Sequence, residues 1–240
     1  MGRFLLFLLL FTVTTLLLTC LFVFLSERNE TEEESASGHE IGRVTVIDAG
    51  HGGEDGGASD NGLVEKGLNL DVARKLAFLF ETANLPYRLT REDDRMLYKE
   101  KIRGTLKMQD LRERLSIVES YRDARLVSIH MNRFPSPSVK GLQVWYSPNN
   151  GESREMAEKI RDSVKATLQP DNTREVKKAG SSIFLLNRCE APAVLVECGF
   201  LSNPDEATAL GKAEYRSSLA ASIFSALLGE SGKDLQRIEN

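Results

Sequence analysis

Val44-Thr45-Val46-Ile47-Asp48-Ala49-Gly50-His51-Gly52-Gly53 is a short run rich in β-branched residues that ends at an acid and opens into glycine. Val44, Val46 and Ile47 read as a strand, and the glycines as a loop carrying the chain off its end. The pattern returns twice. Leu126-Val127-Ser128-Ile129 is strand-like and ends at His130, and Ala193-Val194-Leu195-Val196 ends at Glu197. Between these runs the period changes. Leu68, Val72, Leu76 and Leu79 recur at helical spacing after Glu65, and Leu111, Leu115 and Val118 repeat it. Strands alternating with helices predict an α/β fold: a single domain with a mostly parallel central sheet flanked by helices.

Working outward, residues 54–62 read as loop, 86–89 as a second strand, and 90–107 as charged and irregular. Residues 141–146 alternate like a strand, and Trp145 or Tyr146 belongs to the core on such a pattern. Residues 152–168 form an amphipathic helix and 170–181 a polar connector. The apolar run 183–186 is expected as a buried strand. Asn203-Pro204 marks a helix start, with Asn203 as cap and Pro204 at the first position. A last helix is expected over 213–228, before a polar tail at 230–240 that frays.

The beginning of the chain is unlike the rest. Residues 4–25 are apolar except for Thr12, Thr14, Thr15, Thr19 and Cys20. As a helix this run is roughly 33 Å long, enough to span a hydrocarbon core of about 30 Å. Arg3 precedes it and Glu27, Glu30, Glu32, Glu33 and Glu34 follow it, which directs the body of the chain out of the cytoplasm. Residues 1–26 are therefore expected as an N-terminal transmembrane helix. A cleaved signal peptide competes, although the run is long for one and no A-x-A site follows it. Cleavage would make the protein secreted rather than membrane-anchored. Residues 27–42 form an acidic tether that includes His39, and 43–229 the single folded domain.

A net charge of −4 carries no sign of nucleic-acid binding. The cysteine content excludes a dense disulfide framework. Cys189 and Cys198 are expected as buried free thiols.

His51, His130 and Glu197 stand at strand ends, which converge at one edge of a sheet, and Glu65 stands where loop becomes helix. Two histidines and one carboxylate suit a catalytic Zn2+, which keeps a fourth position for water. His51, Glu65 and His130 would hold it, leaving Glu197 as general base. Spacing alone is a weak signal, because there is no H-E-x-x-H and a strand-end histidine is more often only hydrogen-bonded. Asp48 either orients His51 or caps the loop. Arg91 is expected in a structural ion pair, and Asn132 either positions substrate or braces its loop.

Asp48-Ala49-Gly50-His51-Gly52-Gly53, Glu65, Leu89-Thr90-Arg91, Ser128-Ile129-His130-Met131-Asn132 and Val196-Glu197-Cys198-Gly199-Phe200-Leu201-Ser202-Asn203 occur in that order. Together they resemble the zinc-dependent N-acetylmuramoyl-L-alanine amidase family across residues 44–228. The resemblance implies that His51, Glu65 and His130 bind zinc and that Glu197 is the catalytic carboxylate. It implies cleavage of the amide between the lactyl group of N-acetylmuramic acid and L-alanine, with peptidoglycan strands and their peptide stems as substrate. Ala49, Met131 and Cys198 depart from the usual proline, alanine and valine; Met131 and Cys198 flank site positions and are expected to bear on pocket shape.

Asp110-Leu111-Arg112-Glu113-Arg114 and Ser202-Asn203-Pro204-Asp205-Glu206-Ala207-Thr208 resemble the sporulation and germination-specific subgroup. That resemblance implies action in the spore cortex, leading to muramic δ-lactam, a place in the forespore intermembrane space, and a helper lipoprotein as partner. A peptidoglycan-binding module without catalysis, and a zinc peptidase cutting within the stem, are the alternatives.

Overall fold

The computed structural model describes residues 42–98 and 106–238. Strand β1 (Val44–Ala49) is buried along its whole length. It lies between parallel neighbours with helices on both faces, so its sequence lacks the polar alternation of a surface strand. β2 (Ser59–Asp60) and β3 (Leu63–Val64) follow as an antiparallel pair. Asn61 and Gly62 join them with φ of 47° and 75°, the backbone of a tight hairpin turn. The expected loop thus contains a hairpin, and Asn61-Gly62 is its sequence signature.

Helix α1 (Glu65–Thr82) buries Leu68, Val72, Leu76 and Phe80, whereas Leu79 is only partly buried. After β4 (Tyr87–Leu89), helix α2 (Leu106–Glu119) turns Asp110, Arg114 and Val118 inward. β5 (Ala124–Asn132), β6 (Gln143–Tyr146) and α3 (Glu152–Thr167) match the expected order. A two-residue strand, β7 (Lys177–Lys178), interrupts the polar connector.

Residues 183–186, expected as a strand, enter a helix instead, α4 (Phe184–Arg188). Asn187 N donates to Ile183 O at 3.0 Å and Cys189 N to Leu185 O at 2.9 Å, so the backbone is satisfied locally. A run that short carries no period able to separate the two states. β8 (Ala193–Phe200) leads to α5 (Pro204–Leu210), where the Asn203 side chain accepts from Glu206 N at 3.0 Å and Pro204 opens the helix, as expected. The last helix, α6 (Ala213–Ile238), continues past residue 228.

The strands form one sheet in the order β4-β1-β5-β8-β6-β7, and only the β6–β8 pairing within it is antiparallel. α1, α3 and α6 cover one face, over a core that includes Ile47, Leu76, Ile129, Ile160, Val196 and Ile223. α2 and α4 cover the other, over Val46, Val118, Leu126, Leu186 and Leu195. From β1 the chain runs through α1 to β4 on one side, then returns through α2 to β5 on the other. The β1–β5 boundary is therefore a switch point, where a crevice opens beyond the carboxyl ends of the strands.

The described residues from Gly42 onward form one compact unit. Among the described residues no helix is long and apolar enough to cross a membrane. The expected transmembrane helix, and the tether as far as residue 41, lie outside the described residues.

Candidate active site

The residues expected at strand ends come together beside the switch point, although β5 runs two residues past His130 and β8 three past Glu197. His51 follows β1 with φ of 61°, a left-handed conformation uncommon outside glycine. His130 comes from β5, and Glu65 is the first residue of α1. Glu65 Oε1 lies 3.2 Å from His51 Nε2 and 2.9 Å from His130 Nδ1. It also accepts from Met131 N at 3.1 Å and Asn69 Nδ2 at 3.2 Å, while Oε2 accepts from Ala58 N at 2.7 Å. One donor atom from each of His51, Glu65 and His130 falls within 4.8 Å of the others, and the three together could hold a metal ion.

Small residues make room for this convergence. A Cβ on Gly50 would collide with the His130 ring. One on Gly57, whose φ is +69°, would collide with the Glu65 carboxylate and the His51 ring.

Burial alone would raise the Glu65 pKa, but the two imidazoles outweigh it and hold the carboxyl below its usual range. For His51 burial acts downward, and Glu65 and Asp55 outweigh it, raising the imidazole. His51 Nδ1 lies 2.9 Å from Asp55 Oδ2, although this nitrogen has no aligned hydrogen-bond partner. We therefore read that contact as electrostatic.

Glu197 stands in β8 as the register partner of His130. Its Oε2 is buried without a hydrogen-bond partner. Burial pushes the carboxyl up to about 7, with the imidazoles of His130 and His51 opposing and the Glu65 charge assisting. An orphaned carboxylate oxygen beside two imidazoles and an acid fits a centre built to work on water or a polar substrate.

Asp48 does not orient the His51 ring. It accepts from Thr90 Oγ1 at 2.7 Å, Ser128 Oγ at 2.5 Å and Arg114 Nη1 at 2.6 Å behind the site. Arg91 is structural, but it donates to the carbonyls of Ala49, Gly50, Lys66 and Asp93, and among the described residues it forms no ion pair. Asn132 braces its loop, accepting from Arg133 N on its side chain and from Leu201 N on its carbonyl, each at 2.7 Å.

Met131 and Cys198 are buried in the core. With side chains alternating along a strand, they face away from His130 and Glu197, and the expected effect on pocket shape is corrected. Cys189 and Cys198 are free and buried. Trp145 and Tyr146 pack toward opposite cores, outside the site. No local pattern in the sequence marks Asp55 or Arg114 as a site residue. Asp55 lies within a Gly-rich loop, and Arg114 repeats the inward spacing of Asp110 on α2, a periodicity recognisable only once the helix face is known.

Residues 45–228 match the family model described as N-acetylmuramoyl-L-alanine amidase. The chain is 35% identical over 189 residues to the germination-specific N-acetylmuramoyl-L-alanine amidase of Bacillus subtilis (strain 168), covering 78% of this chain and 79% of that one. Among solved structures it resembles the CwlD amidase from Clostridioides difficile in complex with the GerS lipoprotein. There the TM-score is 0.75 and the identity 34%, over 81% of this chain and 99% of the other. It also resembles the amidase AmiC2 of Nostoc punctiforme, with a TM-score of 0.68 and 28% identity over 78% and 96% of the two chains. Likeness of this extent, in sequence and in fold alike, means that the chain belongs to the N-acetylmuramoyl-L-alanine amidase family, the enzymes that act on the amide between muramic acid and L-alanine in peptidoglycan.

Proposed function

We propose that His51, Glu65 and His130 hold a zinc ion and that Glu197 is the general base of amide hydrolysis. The observation that carries this reading is the gathering of two imidazoles and one carboxylate beside a buried carboxylate oxygen that has no partner. A borderline cation such as zinc suits that mixed nitrogen and oxygen set. Bound there, zinc supplies Lewis acidity toward water and toward a carbonyl oxygen.

The chain's own residues do the rest. Glu65, fixed by Ala58 N, Met131 N and Asn69, sets the spacing of the two imidazoles. Glu197 Oε2 takes a proton from the water that adds to the lactyl carbonyl carbon. As the C–N bond breaks, the same carboxyl returns the proton to the departing alanine nitrogen. The products are a free lactyl carboxylate and a stem with a free alanine amine.

The catalytic domain in this reading is residues 43–229, with 230–240 outside it. We place the enzyme in the spore cortex, on the pathway to muramic δ-lactam. The germination-specific relative supports this, and the neighbour solved with the GerS lipoprotein supports a helper lipoprotein here also. The apolar run at residues 4–25 supports an anchor that holds the domain outside the cytoplasm, in the forespore intermembrane space.

The test is digestion of stem-bearing peptidoglycan, with mass spectrometry of the released ends. Stems that begin with a free L-alanine amine are expected, with release abolished by chelator and restored by zinc. Cuts within the stem would identify a peptidase, and zinc-loaded protein that releases nothing would identify a binding module.

A further inference from the structure

The His51 side chain reaches the centre from a backbone with φ of 61°. Nothing in a glycine loop by itself holds a histidine there. Two buried guanidiniums do. Arg114 Nη1 donates to Ala49 O at 2.7 Å and Nη2 to His51 O at 2.7 Å. Arg91 Nε donates to Ala49 O at 2.8 Å and Nη2 to Gly50 O at 3.1 Å, a carbonyl shared with Asn69 Nδ2 at 3.0 Å. The carbonyls of Ala49, Gly50 and His51 are thus all drawn back toward the helices.

Arg114 is itself fixed. Its Nε donates to Asp110 Oδ2 at 2.8 Å and its Nη1 to Asp48 Oδ1 at 2.6 Å. Its side chain is 2% exposed, and those of Asp48 and Asp110 are 1% and 4% exposed. A planar fork of five donors can serve two carboxylates and two carbonyls at once, which a lysine ammonium cannot.

We infer that Arg114 is a positioning residue for catalysis, gripping the carbonyl of His51 so that this imidazole is already set for the metal before it arrives. The inference rests on the metal-centre reading given above. Arg114 touches neither substrate nor metal and acts through the backbone of His51. Arg91 assists it from the two preceding carbonyls. Supports of this kind typically change metal affinity by about 10–100-fold.

Zinc affinity, measured by competition with a chelator of known affinity, tests this, with melting temperature followed in parallel. Arg114→Lys keeps a cation between Asp48 and Asp110 but loses the fork. It is expected to bind zinc at least about tenfold more weakly, with activity recovering as zinc is raised. Arg91→Lys is expected to lose less. Thr90→Val is the control, because it removes the bond to Asp48 Oδ1 without touching the His51 backbone; it is expected to lower the melting temperature and leave zinc affinity unchanged.

Wild-type uptake of zinc with unchanged affinity in Arg114→Lys overturns the inference alone, as does weakening that tracks melting temperature across all variants, Thr90→Val included. If Arg114→Lys does not fold, unchanged affinity in Arg91→Lys overturns it and weakened affinity supports it. A wild-type chain that takes up no zinc removes the metal-centre reading itself.

Discussion

Glu197 and His130 are register partners on adjacent parallel strands, so their side chains emerge side by side on the same face of the sheet. Their neighbours Val196 and Ile129, also paired, face the other way into the core. A slip of one residue in this pairing would turn the carboxylate into the apolar core and the valine toward the site. The hydrophobic packing of β5 and β8 therefore sets the alignment of the site.

Glu197→Gln should separate metal binding from turnover. The amide is isosteric and accepts no proton, so kcat is expected to fall by about 10²–10⁴-fold while zinc content stays near that of the unaltered enzyme. Metal analysis beside product release checks both. Normal turnover would remove Glu197 from the role of base.

His130→Ala should abolish zinc uptake at ordinary zinc concentrations and leave the fold intact. Its ring is partly exposed at the crevice, and the core beneath is formed by Ile129 and Met131. Circular dichroism with metal analysis is the measurement. A variant that unfolds would mean that the histidine is structural instead.

Gly57→Ala should damage the centre from outside the donor set. The alanine must hold φ of +69° and also meets the Glu65 carboxylate and the His51 ring. A loss of stability of about 1–2 kcal/mol is expected, together with weakened zinc binding as Glu65 is displaced. Denaturant titration and chelator competition read the two effects.

Asp48 makes the protein acid-sensitive. Burial alone would raise its pKa, but the Arg114 guanidinium and the Ser128 and Thr90 hydroxyls hold it at about 2, against an ordinary 3.8. The unfolded chain therefore takes up this proton at higher pH than the folded one. Its contribution, about 2 kcal/mol, is fully present above the ordinary value and is lost as pH falls toward 2. Urea midpoints should drop across that window. Asp48→Asn should be less stable at neutral pH and show a shallower loss on acidification; an unchanged slope would contradict the assignment.

Neither buried thiol should react in the native state. Burial pushes Cys189 up to about 11 and raises Cys198 as well, so little thiolate exists at neutral pH. A chain carrying Cys20→Ser is expected to resist thiol reagents until denatured. Rapid native labelling would show that the region opens.

Much of the fold is legible from local pattern alone. Val44, Leu126 and Ala193 open apolar runs that end at an ionisable residue. Such runs in an alternating α/β chain place their last residues toward one edge of a parallel sheet, so His51, His130 and Glu197 are legible as candidates from the sequence alone. The Asn203-Pro204 helix start was readable for a similar reason, because capping is a contact between near neighbours. Residues 183–186 do not disclose their state, because four apolar residues carry no period, and Leu185 and Leu186 are buried in the helix they form.

The sequence by itself determined the alternation of strands and helices and which residues could serve as donors, although β5 and β8 run on to Asn132 and Phe200 and α2 turns Asp110 and Arg114 inward beside Val118. Only the tertiary structure decided what holds those donors in place: Arg114 against the His51 carbonyl, Arg91 against Ala49 and Gly50, Asp48 with Ser128 and Thr90, and Asp55 beside the far nitrogen of His51. The reason is physical. Periodicity records which side of an element meets the core, a property of neighbours along the chain. A buried guanidinium chooses its carbonyls by where two helices and three strands come to rest, and residues 63 apart, such as His51 and Arg114, meet only after folding.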